Sequence, residues 1–336
     1  MIRNFIDFIK SFVQSVKLLQ YFGYRVAILD FICEVLLRWK GRIGQKFVYK
    51  KHEHIKSIIK KEYETNIAKY KEGRQEYTTE KISSSSPIWV FWWQGLVKAP
   101  EIIKTCLESI VKYAGGHEVR LITRYNYSKY VEIPDYIMNK LKSRHISITH
   151  FSDILRIHLL YQYGGLWIDA TVFLTDYISD EINDYGFYTI NHGLYQNYHV
   201  CKGKWSTFFI ATAPNNPLFE YLMDIFHEYL KKEKIVICYL LIDCLIALGY
   251  ENVDNFKKQI DYVPLNNTGV GIMKCCLNQI YNKKLFDSIT KNSYIHKLTY
   301  KFKYKKGRFH GRTLYGYLLE ATSGLEPSAK LRHIHI

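Results

Sequence analysis

Two short segments carry side chains whose types and spacing suit chemistry on an oxygen-rich ligand. In Ser152-Asp153-Ile154-Leu155-Arg156 a carboxylate and a guanidinium stand three residues apart, which puts them on one face of a helix. In Tyr163-Gly164-Gly165-Leu166-Trp167-Ile168-Asp169 two glycines lead into a short apolar run closed by a lone carboxylate. A carboxylate there can accept hydrogen bonds from hydroxyl groups or ligate a cation. A second acid two places on would mark a metal site, but Thr171 supplies a neutral hydroxyl. Taken alone, Asp153 and Arg156 read as a capping surface pair worth under about 1 kcal/mol. Ser152 reads as the N-cap, with Asp153 in a first turn that favours a negative charge. Their context changes the weighting: the tight turn through Gly164 and Gly165 lets Asp153, Arg156 and Asp169 converge on one ligand.

The elements that must position these groups begin after Ser83–Ser86 and Pro87, a loop signal that marks a boundary. IWVFWW (88–93) has the pattern of a strand, 100–113 of a helix, EVRLIT (118–123) of a second strand and 133–142 of a second helix. A third helix over 152–163 stops at the glycine pair, and LWID (166–169) forms a third strand. Strands separated by helices of this length build βαβ units, hence an α/β fold with a mostly parallel sheet flanked by helices. Such sheets bind ligands beyond the carboxyl ends of their strands, which is where Asp169 falls. Alternation along 88–93 predicts that only one of Trp92 and Trp93 faces the site.

The chain has 336 residues, 48% of them apolar, enough for a full core. Its net charge of +16 lies at the ends: residues 1–80 hold 16 Lys and Arg against 9 Asp and Glu, and 291–336 hold 10 against 2. The middle is close to neutral, which weakens a nucleic-acid-binding reading based on charge alone; no nucleic-acid motif is present either. Seven cysteines without C-x-x-C spacing suit a reducing cytosol better than a disulfide framework or a zinc site. Asp7, Lys10 and Lys17 break any signal-peptide pattern, and Ile235–Tyr250, with Asp243 inside it, reads as a buried helix rather than a membrane span. Ile2, Phe5, Ile6, Ile9, Phe12, Val13 and Val16 give the N-terminus an amphipathic helical pattern. That helix either lies on an anionic membrane face, where a non-catalytic assembly scaffold would also sit, or packs on the main domain. Residues 50–80 read as an exposed helix or linker. The expected divisions are an N-terminal helical region (1–82), the α/β domain (83–303) and a basic tail (304–336).

The stretch SDILRIHLLYQYGGLWIDATV resembles the signature of the capsular polysaccharide synthesis protein family. That family is related to the retaining glycosyltransferases that include yeast-type mannosyltransferases and glucosylating bacterial toxins. There a helix with S-D-x-x-R precedes Y-G-G and a strand ending in D-x-D, or here D-A-T. IWVFWWQGLVKAPEIIKTCLESI, FFIATAPNNPLFEYLMDIFHEYL and NSYIHKLTYK are similar to flanking segments of the family, so the resemblance spans about 86–303. NNTGVGIM (266–273) faintly resembles a T-G-P loop but lacks the proline.

The resemblance implies a Rossmann-type GT-A fold in a cytoplasmic bacterial enzyme at the inner face of the membrane. It implies transfer of a sugar from a nucleotide-sugar, UDP-linked by expectation, to a surface polysaccharide or lipid-linked acceptor with retention of configuration. Departure of the nucleoside diphosphate needs positive charge, ordinarily Mn or Mg. By carry-over, Asp153, Arg156 and Asp169 are the catalytic set, with Asp153 and Arg156 orienting the donor sugar. Trp93, Gln94, Gly165, Asp169 and Lys297 are the donor-binding set, with Trp93 rather than Trp92 on the base. Asp169, Thr171 and His296 are the expected metal ligands, and His145, His192 and His199 have no ligand spacing.

Overall fold

The four residues Ile88-Trp89-Val90-Phe91 are all buried, the pattern of a central strand covered on both faces. The computed structural model describes residues 2–36, 41–72, 80–193, 198–309 and 311–323. β1 (Ile88–Phe91) is followed by α5 (Glu101–Lys112) and β2 (Val119–Ile122), after four helices taken up below. α6 (Asp135–Lys142) and α7 (Ile148–Tyr163) lead to β3 (Gly165–Ile168), β4 (Val172–Leu174), β5 (Phe187–Thr189) and β6 (Phe209–Thr212). The main sheet has the order β2-β1-β3-β6-β5. β1 pairs parallel with both β2 and β3, as the βαβ pattern requires. β6 runs antiparallel to both of its neighbours, so four of the five strands share one direction. The expected α/β architecture is therefore present. The reversed strand has a local cause: no helix crosses between β5 and β6 among the described residues, and a parallel connection needs such a crossover.

The glycine pair fixes how α7 meets β3. Gly164 and Gly165 have φ of 62° and 92°, conformations that L side chains rarely adopt. A Cβ on Gly165 would sit 2.3 Å from the Pro87 carbonyl oxygen. Trp89 Nε1 donates to the Gly164 carbonyl at 2.9 Å, so the turn is pinned to β1 as well.

Beyond the sheet come α8 (Pro217–Lys232), α9 (Leu241–Asn252), α10 (Asp254–Asp261), α11 (Met273–Cys276), α12 (Lys283–Thr290) and β7 (Ile295–Lys297). A small hairpin, β8 (Gly307–Arg308) and β9 (Gly311–Arg312), precedes α13 (Leu314–Ser323). These last elements lie in the expected basic tail, whose residues 324–336 fall outside the described residues. α9 is buried from Leu241 to Gly249, as the apolar run predicted, although its helix begins only at Leu241.

The N-terminal part forms α1 (Ile2–Phe22), α2 (Tyr24–Leu36), α3 (Arg42–Glu62) and α4 (Glu64–Glu72). The reading of 50–80 as exposed or linker is corrected here. Ile55, Ile59, Tyr63, Ile67 and Tyr70 are buried, and Tyr70 meets Tyr221 edge-on at 5.4 Å while donating to Asp224. Lys56 pairs with Glu251 across to α9. Apart from the buried Lys56, charged residues such as Lys60, Lys61, Glu62, Glu64 and Lys69 occupy the outer face of helices whose inner face joins the core. Residues 73–79 lie outside the described residues.

Gly165→Ala forces a side chain into both a left-handed φ and a carbonyl, so it should cost roughly 2 kcal/mol or more. Thermal unfolding checks this: a clear fall in Tm is expected, and an unchanged Tm would contradict the close approach to Pro87.

Candidate active site

Asp169 sits at a corner. Its backbone N–H donates to the Phe208 carbonyl at 2.9 Å, holding it at the carboxyl end of β3. Its own carbonyl accepts from Val172 N–H at 2.8 Å, and the chain turns through Ala170 and Thr171 into β4. β4 leaves the main sheet and pairs antiparallel with β7, matching Val172 with Lys297 and Phe173 with His296. The Leu298 N–H donates to the Thr171 carbonyl at 2.8 Å, extending that ladder past the corner. Neighbouring side chains on a strand point to opposite faces, so one register decides two outcomes. Lys297 stands beside Asp169, and His296 is turned into the core.

The charges around Asp169 form one network. Its Oδ2 accepts from Lys297 Nζ at 2.5 Å, and its Oδ1 accepts from Trp167 Nε1 at 2.8 Å and Arg156 Nη2 at 3.3 Å. Arg156 is only 4% exposed; its Nη1 lies 3.1 Å from Asp153 Oδ1 and its guanidinium covers the Trp167 ring at 4.8 Å. Burial alone would raise the Asp169 carboxyl, but Lys297 and Arg156 outweigh it and hold the group below the usual carboxylate range. Asp153 behaves in the opposite way. Burial pushes it up to about 7, and Asp243 and Asp169 add to this against the pull of Arg156. Burial also raises Asp243 to about 6, opposed by the hydrogen bond it accepts from Trp205 Nε1 at 3.0 Å. Asp169 is thus the carboxylate held ionised at neutral pH.

A cavity of about 360 Å³ opens over Asp169, with Trp92, Trp93, Gln94, Ser152, Thr171, Tyr239, Lys297, Tyr300 and Lys301 in its wall. Asp169, Thr171, Trp93, Gln94 and Lys297 were all expected at a site, and the structure brings them together. Asp153 and Arg156 stand behind Asp169 rather than in the wall, so they position the carboxylate instead of touching a ligand. The helix holding them starts earlier than expected. Ser147 is the N-cap, in a capping box with His150, which leaves Asp153 beyond the first turn and Ser152 free to face the cavity. Gly165 lies at the other end of β3 and serves the turn, not the ligand. Both tryptophans line the cavity because β1 ends at Phe91, so the alternation invoked for Trp92 and Trp93 does not extend to them. Trp92 meets Tyr300 edge-on at 5.4 Å, and Trp93 stacks on Tyr127 at 6.3 Å.

The expected divalent cation does not fit these residues. His296 is fully buried, with Nε2 3.3 Å from Thr175 Oγ1 and burial lowering its pKa to about 4. Both Asp169 oxygens already accept from cationic or N–H donors. Among the described residues no group of three or more His, Cys, Asp or Glu is placed to hold a metal ion. Sequence reasoning missed Tyr239, Tyr300, Lys301 and Asp243. The first three are exposed polar or aromatic residues with no distinguishing spacing, whereas the lone acid inside the apolar run 241–249 was a signal that could have been followed.

Asp243→Asn tests the buried-acid assignment. Because burial raises the folded carboxyl above its ordinary value of 3.8, its penalty is absent below that value, grows as pH rises from there toward about 6, and is constant above. The Tm of the variant relative to the parent should therefore rise between about pH 4 and 6 and level off above, and a constant difference would contradict the assignment.

A profile of the capsular polysaccharide synthesis protein family matches residues 38–318. The O-glycosyltransferase braB of Annulohypoxylon truncatum is 30% identical over 112 residues, covering 31% of this chain and 27% of that protein. The chain thus spans about a quarter of that relative's length. The structure named PaToxG Glycosyltransferase aligns over 76% of this chain and 100% of its own, with 13% identity and a TM-score of 0.38. With the family profile running from α3 and α4 through the whole sheet and β7, this chain belongs to the capsular polysaccharide synthesis protein family.

Proposed function

We propose that the chain is a glycosyltransferase using a nucleotide-sugar, with a UDP-sugar the expected donor. The observation that carries this reading is the combination in one cavity of an ionised carboxylate, two lysines and two tryptophan faces, at the carboxyl end of a parallel strand. The family and the O-glycosyltransferase relative support it. Asp169 accepts hydrogen bonds from hydroxyls of the donor, Trp92 or Trp93 offers a face to the base, and Tyr239 and Tyr300 flank the sugar. In the transfer, the bond from the anomeric carbon to the phosphate oxygen breaks and its electron pair leaves with the diphosphate. The acceptor hydroxyl oxygen bonds the anomeric carbon from the same face, its proton passing to the departing phosphate, and configuration is retained. Asp153 and Arg156 act through Asp169.

The acceptor is a surface polysaccharide or its lipid-linked precursor, and α1 supplies a means of reaching it. Ser11 and Leu18 of that helix are buried, whereas Phe8, Ile9, Phe12, Val13, Val16 and Leu19 are exposed. An apolar stripe facing outward, with Lys17 at its edge and exposed Arg25, Arg42, Lys46 and Lys50 on the next two helices, matches an anionic lipid surface in both polarity and charge. No helix among the described residues is long and apolar enough to cross a membrane. The nucleic-acid reading has less support, since the tail cations Lys306 and Arg312 are paired with Glu101 and Glu320.

Asp169→Asn keeps the shape of the site but removes the charge that Arg156 and Lys297 surround. Sugar transfer should fall by about 10²-fold or more while the far-ultraviolet circular dichroism stays native; full activity would refute the site. In co-sedimentation, the parent should bind vesicles containing phosphatidylglycerol and release them as salt rises. The double variant Phe12→Glu/Val16→Glu should bind about tenfold more weakly. Equal binding by the variant, or self-association through these residues without vesicle binding, contradicts the lipid assignment.

A further inference from the structure

We infer that Lys297 and Lys301, rather than a divalent cation, hold the diphosphate of the donor and steady its departure. The inference rests on the glycosyltransferase reading and concerns the same cavity. Its wall contains one carboxylate, Asp169, against two ammoniums. Thr171 removes the second negative charge that a cation would need, and His296 faces the core. A metal ion approaching Asp169 Oδ2 would have to displace Lys297 Nζ and then sit beside it, like charge against like. A diphosphate meets the opposite situation, since both lysines attract it.

Lys297 is fixed in place by more than its ion pair. Its backbone N–H donates to the Val270 carbonyl at 2.8 Å, and its ammonium lies over the Phe208 ring at 4.8 Å. Asn267 Oδ1 accepts from Tyr294 and Ile295 N–H groups at 3.0 and 3.1 Å, and Gly269 N–H donates to Ser293 Oγ at 2.8 Å. The loop NNTGVG thereby clamps β7 and gives that otherwise unexplained segment a purpose. A cation held this firmly needs no rearrangement when negative charge grows on the leaving oxygen. As the glycosidic carbon–oxygen bond breaks, the electron pair it leaves on the phosphate faces Lys297 and Lys301, and the acceptor proton neutralises the same oxygen.

Calorimetric titration of the full chain with UDP and with GDP, in EDTA and in Mn, tests this. One of the two nucleotides should bind in EDTA within about threefold of its affinity in Mn, Lys297→Gln should weaken it by about tenfold or more, and Lys297→Arg should weaken it much less. Binding that requires Mn, or Lys297→Gln binding as tightly as the parent, overturns the inference. Thermal melts establish that each variant is folded. If Lys297→Gln is not, Lys301→Gln, at an exposed position, should weaken binding by about threefold, and unchanged affinity overturns that lysine's role. Failure of both nucleotides to bind under either condition, together with no hydrolysis of any nucleotide-sugar, overturns the glycosyltransferase reading itself.

Discussion

A carboxylate partly withdrawn from bulk water is held below its usual range when cations and N–H donors surround it. Asp169 meets that condition from three directions at once: Arg156 from the helix before the strand, Trp167 from the strand itself and Lys297 from β7. Much of the molecule serves that convergence. The glycine turn sets the approach of α7 to β3, the small β4–β7 ladder sets the register of Lys297, and the loop over 266–270 holds that ladder. Asp153, sharing Arg156 but lacking a second cation, is pushed toward the protonated form. Two acids about three helical turns and a strand apart thus receive different charge states from the same guanidinium.

The sequence made one half of this arrangement legible. Helix, glycine pair and strand follow one another directly, so local spacing was enough to bring Asp153, Arg156 and Asp169 together. The parallel direction of the strands around β1 also followed from local pattern, since parallel strands need crossover helices and those helices were visible. The antiparallel β6 was not, because it returns beside β3 without a helix to announce its direction. The partner of Asp169 lies 128 residues away, and no periodicity encodes that pairing. Lys297 was placed by family resemblance alone, and the same resemblance placed His296 beside it. One residue of alternation separates a cavity lysine from a core histidine. Trp92 and Trp93 show the reverse error, where alternation was applied past the end of a strand.

The N-terminal helices show what patterning leaves open. The 3.6-residue period of α1 identified an amphipathic helix, but a period does not say which face turns inward. Here the serine-bearing face packs inward and the apolar face looks out. In α3 and α4 the opposite holds, and charged sequence conceals a buried seam of Ile55, Ile59, Ile67 and Tyr70.

The pairing of Asp169 with Lys297 as a donor site is tested most directly by a crystal structure with a nucleotide-sugar bound, grown in the presence of Mn. The predicted result has diphosphate oxygens within hydrogen-bonding reach of Lys297 Nζ, sugar or ribose hydroxyls on Asp169, and no Mn between them. A Mn ion bridging Asp169 to the diphosphate, or the donor bound away from Asp169, would contradict it.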